Sequence, residues 1–380
     1  MTMPFTPERE DFAASVADFC RRECGAREQR DALTDNGRHQ HNSWLYQKMA
    51  DLGWVGAGLP SEFGGSDAGM VDVCLFLETT ARGMAPISGF TTSTIVAGAY
   101  QRFGSPEQRK LVLGGVAGGE VAAIAMSEPE AGSDVGALSC RAERWGDHWV
   151  INGQKTWCSN AHIANSILLV ARTSSDKDKH SGLTMFHVPA DVDGLRIHGI
   201  DTMGGREVND LYFTDCELPD DAVVGQVDGA WGQLMAGLNL ERLVLAAVML
   251  GTAQRAFDDT VAYISERRQF GRPVGSFQAI RHRIADLATE IECCRLLVYR
   301  VAELVDENPD RMLPKEASMA KLKVTETAKR VALEGMQMMG GYGYATEYDM
   351  ERHVRGTLIS TVYGGTSEIQ RDIIGKTYGL

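Results

Sequence analysis

Positive charge is scarce in this chain: 38 Lys and Arg stand against 51 Asp and Glu, a formal net charge of −13. A chain this acidic has no broad attraction for nucleic acid or an anionic membrane, so an anionic ligand would need its own local cations. Proline is also sparse, at 11 residues, which excludes a Pro-rich disordered composition. The longest apolar runs, around Leu243 to Leu250, fall short of the roughly 20 residues of a membrane span. No membrane span is therefore expected. The first twenty residues, rich in Asp and Glu, lack the basic start and apolar run of a secretory signal. Eight cysteines are present but scattered, and the pair Cys20 and Cys24 has no second pair at zinc-like spacing. The expectation is reduced thiols in a cytoplasmic protein, without a metal.

Length and composition then set the scale. With 380 residues, 44% hydrophobic and 23% charged, the chain can build two or three packed units. Glycine is in excess, 41 residues against an average of about 7%, so several backbone positions are expected to need special dihedrals or close approach.

Periodicity changes character twice. Up to about Val121 apolar residues recur at threes and fours, through Phe12–Phe19, Trp44–Leu52, Val71–Ala81 and Ser93–Tyr100. From there to Gly225 the pattern turns to short β-rich runs, at 148–151, 166–170, 183–188 and 210–213, with Asn152-Gly153 reading as a hairpin-like turn. Long helical patterns return over 232–265, 276–305 and 314–339, with a last one from Glu368. The chain thus divides into an N-terminal helical domain (1–121), a middle β-domain (122–230) and a C-terminal helical domain (231–380). No long Pro/Ser-rich linker separates them.

Several local features carry chemistry. The string Met339-Gly340-Gly341-Tyr342-Gly343-Tyr344 is not a dinucleotide fingerprint, because a helical pattern precedes it where a strand is required. It reads as a helix C-terminus with glycine beyond the last turn, or as a place where a ligand comes close to backbone. Met126-Ser127-Glu128-Pro129 through Ser133-Asp134 reads as a turn, with Pro fixing one dihedral and Ser and Asp ready to bond neighbouring amides, or as a ligand contact. Trp157, beside Cys158 and Ser159, is either a core indole or a ring on which a flat heteroaromatic stacks. The sharpest anomaly is Glu241. It shares a helical stripe with Leu234, Leu238, Leu245 and Val248, while the adjacent Arg242 projects about 100° away. It is either half of a buried salt bridge or a general base whose pKa burial raises.

Taken together, these residues resemble the acyl-CoA dehydrogenase flavoprotein family. The resemblance rests on Ser127-Glu128-Pro129 with Gly132-Ser133-Asp134, on Asn152-Gly153-Gln154-Lys155 with Trp157 and Ser159, and on Glu266 to Gly271. Gln337 to Gly341 and Tyr363-Gly364-Gly365-Thr366-Ser367-Glu368 complete it, so that it runs over essentially the whole chain. It implies an α+β fold with a helical N-terminal domain, a β-barrel-like or sandwich middle domain and a C-terminal four-helix bundle. It also implies FAD, a homotetramer, an acyl-CoA substrate and an electron-transfer flavoprotein as partner.

Carried over by motif, Met126 and Ser127 would meet the flavin edge, Trp157 would stack on the ring and Ser159 would hydrogen-bond near its reactive nitrogen. Arg267, Gln269, Phe270 and Gln278 would hold the pyrophosphate and adenine side. Gln337, Gly340 and Gly341 would contact the flavin of a neighbouring subunit, and Thr366 and Glu368 would complete the cofactor site. Ser133 and Arg242 match positions that bind CoA, and Leu234, Leu238 and Gly364 would line the acyl pocket. Many family members carry the catalytic glutamate where Gly364 stands here. A minority, including isovaleryl-CoA and long-chain acyl-CoA dehydrogenases, place it on the first C-terminal helix, as Leu238-Asn239-Leu240-Glu241-Arg242 does. The resemblance therefore makes Glu241 the base, with the Gly364 N–H and a flavin ribityl hydroxyl polarising the thioester and hydride passing to flavin N5. Glycine at 364 is expected to leave room for a branched or longer acyl chain. Alternatives on the same fold are a flavin oxidase or monooxygenase, a dehydrogenase of carrier-protein-linked acyl groups, and one subunit of a heteromeric dehydrogenase.

Overall fold

A computed structural model describes residues 5–174 and 179–380, the side chains of Ala236 and Leu238 excepted. Its elements follow the α, β, α order expected from periodicity. The first region contains α1 (Pro7–Cys24), α2 (Arg27–Thr34), α3 (Ser43–Asp51), α4 (Met70–Arg82), α5 (Ser88–Phe103) and α6 (Pro106–Ala117). The strands are β1 (Ala122–Ala125), β2 (Arg141–Trp145), β3 (His148–Lys155), β4 (Ser166–Arg172), β5 (Leu183–Pro189), β6 (Leu195–Gly199), β7 (Asn209–Pro219) and β8 (Val223–Val224). Then come α7 (Ala230–Glu266), a small hairpin of β9 (Arg268–Gln269) and β10 (Arg272–Pro273), α8 (Gln278–Glu307) and α9 (Pro314–Met339). The chain closes with α10 (Gly341–Tyr344), α11 (Met350–Leu358) and α12 (Ser367–Lys376).

Local chemistry sets many of these boundaries. Ser105 and Gln108 form a reciprocal capping box with Pro106 at the first position of α6, and the Asn42 side chain accepts from the Leu45 N–H at 2.9 Å to start α3. One sequence expectation needs correction here. Asn152-Gly153 is not a turn: it lies inside β3 at a bulge opposite β7, with Gly153 at φ 146°, and the chain reverses instead at Trp145 to His148. Beyond Tyr344 the chain also forms α11, a helix that the sequence reading did not single out.

By its contacts the chain forms two compact units. One comprises the segments through Leu33, Gly69–Ala85 and Glu241–Leu380; the other comprises Thr34–Ala68 and Pro86–Leu240. In the second unit a mixed sheet runs β6-β7-β3-β2-β4-β5-β8, with β1 beside β4. Only one residue pair, Arg141 with Arg172, joins β2 to β4, so the sheet behaves as two halves that fold face to face. Their inner faces share a core: Trp149 on β3 meets Phe186 on β5 edge to face at 5.3 Å. The outer side of β4 and β5 packs Leu168, Val170 and Met185 against Val96 and Tyr100 of α5 and Leu113 of α6. Burial on both faces explains why β4 is a continuous apolar run whereas β7 alternates.

In the first unit α8 and α9 pack together, α11 and α12 lie on α9, and α4 lies on α8 and α1. Two glycines mark close crossings. A Cβ on Gly251 of α7 would stand 2.1 Å from the Glu78 carbonyl of α4, and one on Gly335 of α9 would stand 2.4 Å from Thr260 Oγ1 of α7. α7 is 37 residues long and apolar enough to cross a bilayer by length and composition. Its apolar residues Leu243, Val244, Leu250 and Ala256 are buried in protein instead.

Candidate active site

In the second unit the residues expected at a flavin gather around the ends of β1 and β3. A buried ion pair organises them. Lys155 Nζ donates to Glu128 Oε1 at 2.7 Å and to the Met126 carbonyl at 2.9 Å, and Glu128 also accepts from the Ser139 and Cys140 N–H groups. Burial raises the Glu128 pKa, but Lys155 and these amides more than offset it and hold the carboxyl below its usual value. Met126 and Ser127 are thereby fixed, and the Ser127 carbonyl accepts from the Thr156 N–H at 2.9 Å, which leads directly to Trp157. Trp157 is 60% exposed and held at φ 60°, and Asn160 sits at φ 59°. Two left-handed non-glycine residues within four positions are strained, and they keep the indole out of the core. Ser159 lies between them, partly buried, and Ser133 is exposed beyond the Glu128–Ala131 turn.

The first unit carries two further groups. One is a cleft of about 450 Å³ that brings together Arg267, Gln269, Gly340 and Gly341 with Tyr263 and Tyr342. The Arg267 guanidinium lies 5.5 Å from the centroid of the Tyr342 ring. Gly340 ends α9 at φ 65°, ψ −141°, a conformation open to glycine, and a Cβ there would meet nothing within 4 Å. The helix-end reading of these glycines is correct, and they also line a cleft. A cation, an amide and bare backbone beside aromatic rings fit the phosphate and ring parts of a dinucleotide such as FAD. Phe270 stands at the hairpin tip, 93% exposed, Gln278 begins α8, and Gln337 lies exposed in the last turn of α9.

The last group surrounds Glu241. A Cβ built on Gly364 would lie 3.5 Å from Glu241 Oε1, so the two positions that can carry the family's glutamate face each other. Gly364 has φ 60° and Gly365 φ 82°. The space at Gly364 is not open, contrary to the sequence expectation: Leu245 Cδ1 lies 2.4 Å from that hypothetical Cβ and fills the place a side chain would occupy. Glu241 is partly exposed, and burial raises its pKa against the opposing pull of Arg242 and Lys321. Arg242 is 7% exposed, and burial lowers its pKa while Glu241 raises it. Thr366 caps α12, accepting from the Ile369 N–H at 3.3 Å, with Glu368 exposed in the first turn. Leu234 is buried, and the Leu238 side chain lies outside the described residues.

Lys321 escaped sequence reasoning. It has no exposed surface and reaches the same loop, donating to the Gly365 carbonyl at 2.8 Å. Its signal was available: it follows Ala317 by four residues on the buried stripe of α9, as Glu241 does on α7.

Three family models match the chain in succession. The acyl-CoA dehydrogenase N-terminal domain matches residues 6–120, the middle domain residues 123–216 and the C-terminal domain residues 228–379. The mitochondrial 2-methylacyl-CoA dehydrogenase of Solanum tuberosum is 35% identical, the alignment covering 97% of this chain and 90% of that protein. The isovaleryl-CoA dehydrogenase of the same plant is 33% identical, covering 98% and 90%. The crystal structure of an acyl-CoA dehydrogenase from Geobacillus kaustophilus superposes with a TM-score of 0.93 at 30% identity, covering 100% of both chains. The chain therefore belongs to the acyl-CoA dehydrogenase family, flavin-dependent oxidoreductases of acyl-CoA thioesters, with FAD as cofactor.

Proposed function

We propose that the chain removes two hydrogens from Cα and Cβ of a saturated acyl-CoA, giving the trans-2-enoyl-CoA, with Glu241 as the base. The observation that carries this reading is the approach of the Glu241 carboxylate to Gly364. An α-proton of a thioester is weakly acidic, so the carbonyl must be polarised as the proton leaves. Glu241 takes that proton onto its carboxylate. The pair of electrons from the Cα–H bond forms the new double bond, and the Cβ hydrogen departs with its own pair. Bound FAD supplies the acceptor for that hydride. The Gly364 N–H would donate to the thioester oxygen, and Arg242 and Ser133 would hold the CoA moiety. Trp157, Met126, Ser127 and Ser159 would hold the flavin ring, while Arg267, Gln269, Phe270, Gln278, Gln337, Gly340, Gly341, Thr366 and Glu368 would hold the rest of FAD, partly across subunits of a homotetramer. The electrons would pass on to an electron-transfer flavoprotein. The relatives' substrates favour short branched acyl groups as the first to test.

The experiment is anaerobic mixing of the purified yellow protein with butyryl-, isovaleryl- and 2-methylbutyryl-CoA. Bleaching of the flavin followed by slow reoxidation in air is expected, and rapid peroxide formation would make the protein an oxidase. Glu241→Gln should stay folded and yellow and lose about 10³-fold or more in turnover. Near-normal turnover removes Glu241 from the role. In the unmodified protein, kcat should fall as pH drops through a carboxyl pKa above the ordinary value of about 4.3, because the base must be ionised and burial raises its pKa.

A further inference from the structure

Lys321 is the buried charge that the dehydrogenation reading leaves without a task. It sits on α9 with no exposed surface. Its Nζ donates to the Gly365 carbonyl at 2.8 Å and lies 5.8 Å from the centroid of the Tyr363 ring. Gln370 reaches the same loop, its Nε2 donating to the carbonyls of Gly364 and Gly365 at 2.9 Å each. The loop is thus already braced by a neutral amide. A buried ammonium incurs a large desolvation penalty, which a neutral carbonyl acceptor does not return. The charge itself must therefore serve an anion.

That anion is the Glu241 carboxylate, which lies against Gly364, the residue before the one Lys321 holds. Glu241 feels two cations, Arg242 from its own helix and Lys321 from α9. Lys321 in turn feels Glu241, Arg242, Glu326 and Glu368. Arg242 is the residue that the family resemblance assigns to CoA. That leaves Lys321 as the cation dedicated to the base.

We propose that Lys321 is a positioning residue of this site, its ammonium fixing the Gly364–Gly365 backbone and facing the Glu241 carboxylate as the cation that keeps it anionic. The proposal rests on Glu241 being the base. Two ionisations should then bound the activity. Burial lowers Lys321 to a pKa of about 8, with Glu241 opposing that shift. Activity should accordingly decline on the acid side as Glu241 is protonated, and on the alkaline side as Lys321 loses its proton and with it the charge that fixes the Gly364–Gly365 backbone beside Glu241.

The test compares the kcat profile from pH 5 to 10 for the unmodified holoenzyme, Lys321→Met and Lys321→Arg, with isovaleryl-CoA or butyryl-CoA as substrate and thermal midpoints measured alongside. Lys321→Met should lower kcat at neutral pH about tenfold, leave KM within about twofold, and move the acidic limb up by about one unit. Lys321→Arg should keep the acidic limb in place and abolish the decline near pH 8, since a guanidinium does not deprotonate there. A Lys321→Met protein that loses only thermal stability, with both limbs unmoved, would overturn the proposal. If Lys321→Met does not fold, a decline near pH 8 that survives in Lys321→Arg would overturn it equally. Glu241→Gln, run in parallel, separates the two readings. An active Glu241→Gln removes the base assignment, whereas an inactive Glu241→Gln with an unmoved Lys321→Met profile removes only Lys321.

Discussion

Glu241 and Gly364 face each other: the point where a side chain on Gly364 would begin lies 3.5 Å from a Glu241 carboxylate oxygen. Residues 123 positions apart in sequence thus address one place in space. On the proposed reading of Glu241 as the base, a carboxylate grafted at either position would reach the same substrate carbon.

The double variant Glu241→Gln with Gly364→Glu should recover part of the lost turnover. Recovery should be limited, because φ 60° strains a side chain at 364 by roughly 1–3 kcal/mol and Leu245 Cδ1 stands 2.4 Å from the new Cβ. Adding Leu245→Ala should raise the recovered kcat further. Steady-state turnover of the three variants decides this, and no gain from either addition would show that position 364 does not reach the reacting carbon.

Lys155→Met should destabilise the protein by about 3–5 kcal/mol, since it leaves the Glu128 carboxylate buried without its cation. The urea midpoint should fall accordingly. Because the Met126 carbonyl loses its tether in the same variant, retention of FAD through gel filtration should also fall. A stability loss below about 1 kcal/mol would show that the pair is not essential to this corner of the fold.

His41 should make the protein acid-sensitive. Burial, aided by His162, lowers its pKa to about 4, and its Nδ1 accepts from the Gly89 N–H at 3.2 Å, so it must stay neutral. The unfolded chain takes up the proton near pH 6.5 and the folded chain only near 4. Stability should therefore fall by about 3 kcal/mol as pH drops from 6.5 to 4 and change little from this source below that. His41→Asn, whose amide oxygen can accept the same N–H, should flatten this part of the thermal midpoint against pH. An unchanged slope would assign the acid sensitivity elsewhere.

The order of helix, sheet and helix was legible because periods of 3.6 and 2 are written directly into the apolar positions, and α9 begins and ends where Pro314 and Gly340 say it must. Glu241 was legible for the same reason, as a carboxylate on an apolar stripe. Asn152-Gly153 misled because the dipeptide favours positive φ equally at a turn and at a bulge, and only the opposite strand distinguishes them. α11 went unseen because its apolar residues are few: the face it buries is completed by His353 and Thr357, and His353 finds its partner, Asp259, on another helix at 2.9 Å.

By itself, then, the sequence determined most of the element types, the family motifs and the place of Glu241 on a buried helical stripe, all of which follow from local period and residue chemistry. The tertiary structure decided what fills the gap at Gly364 and what opposes the charge of Glu241. Leu245 lies one turn along the helix from Glu241, and Lys321 lies on another helix altogether. A vacancy and a field at a point are sums over everything packed around it, and only the folded chain specifies that sum.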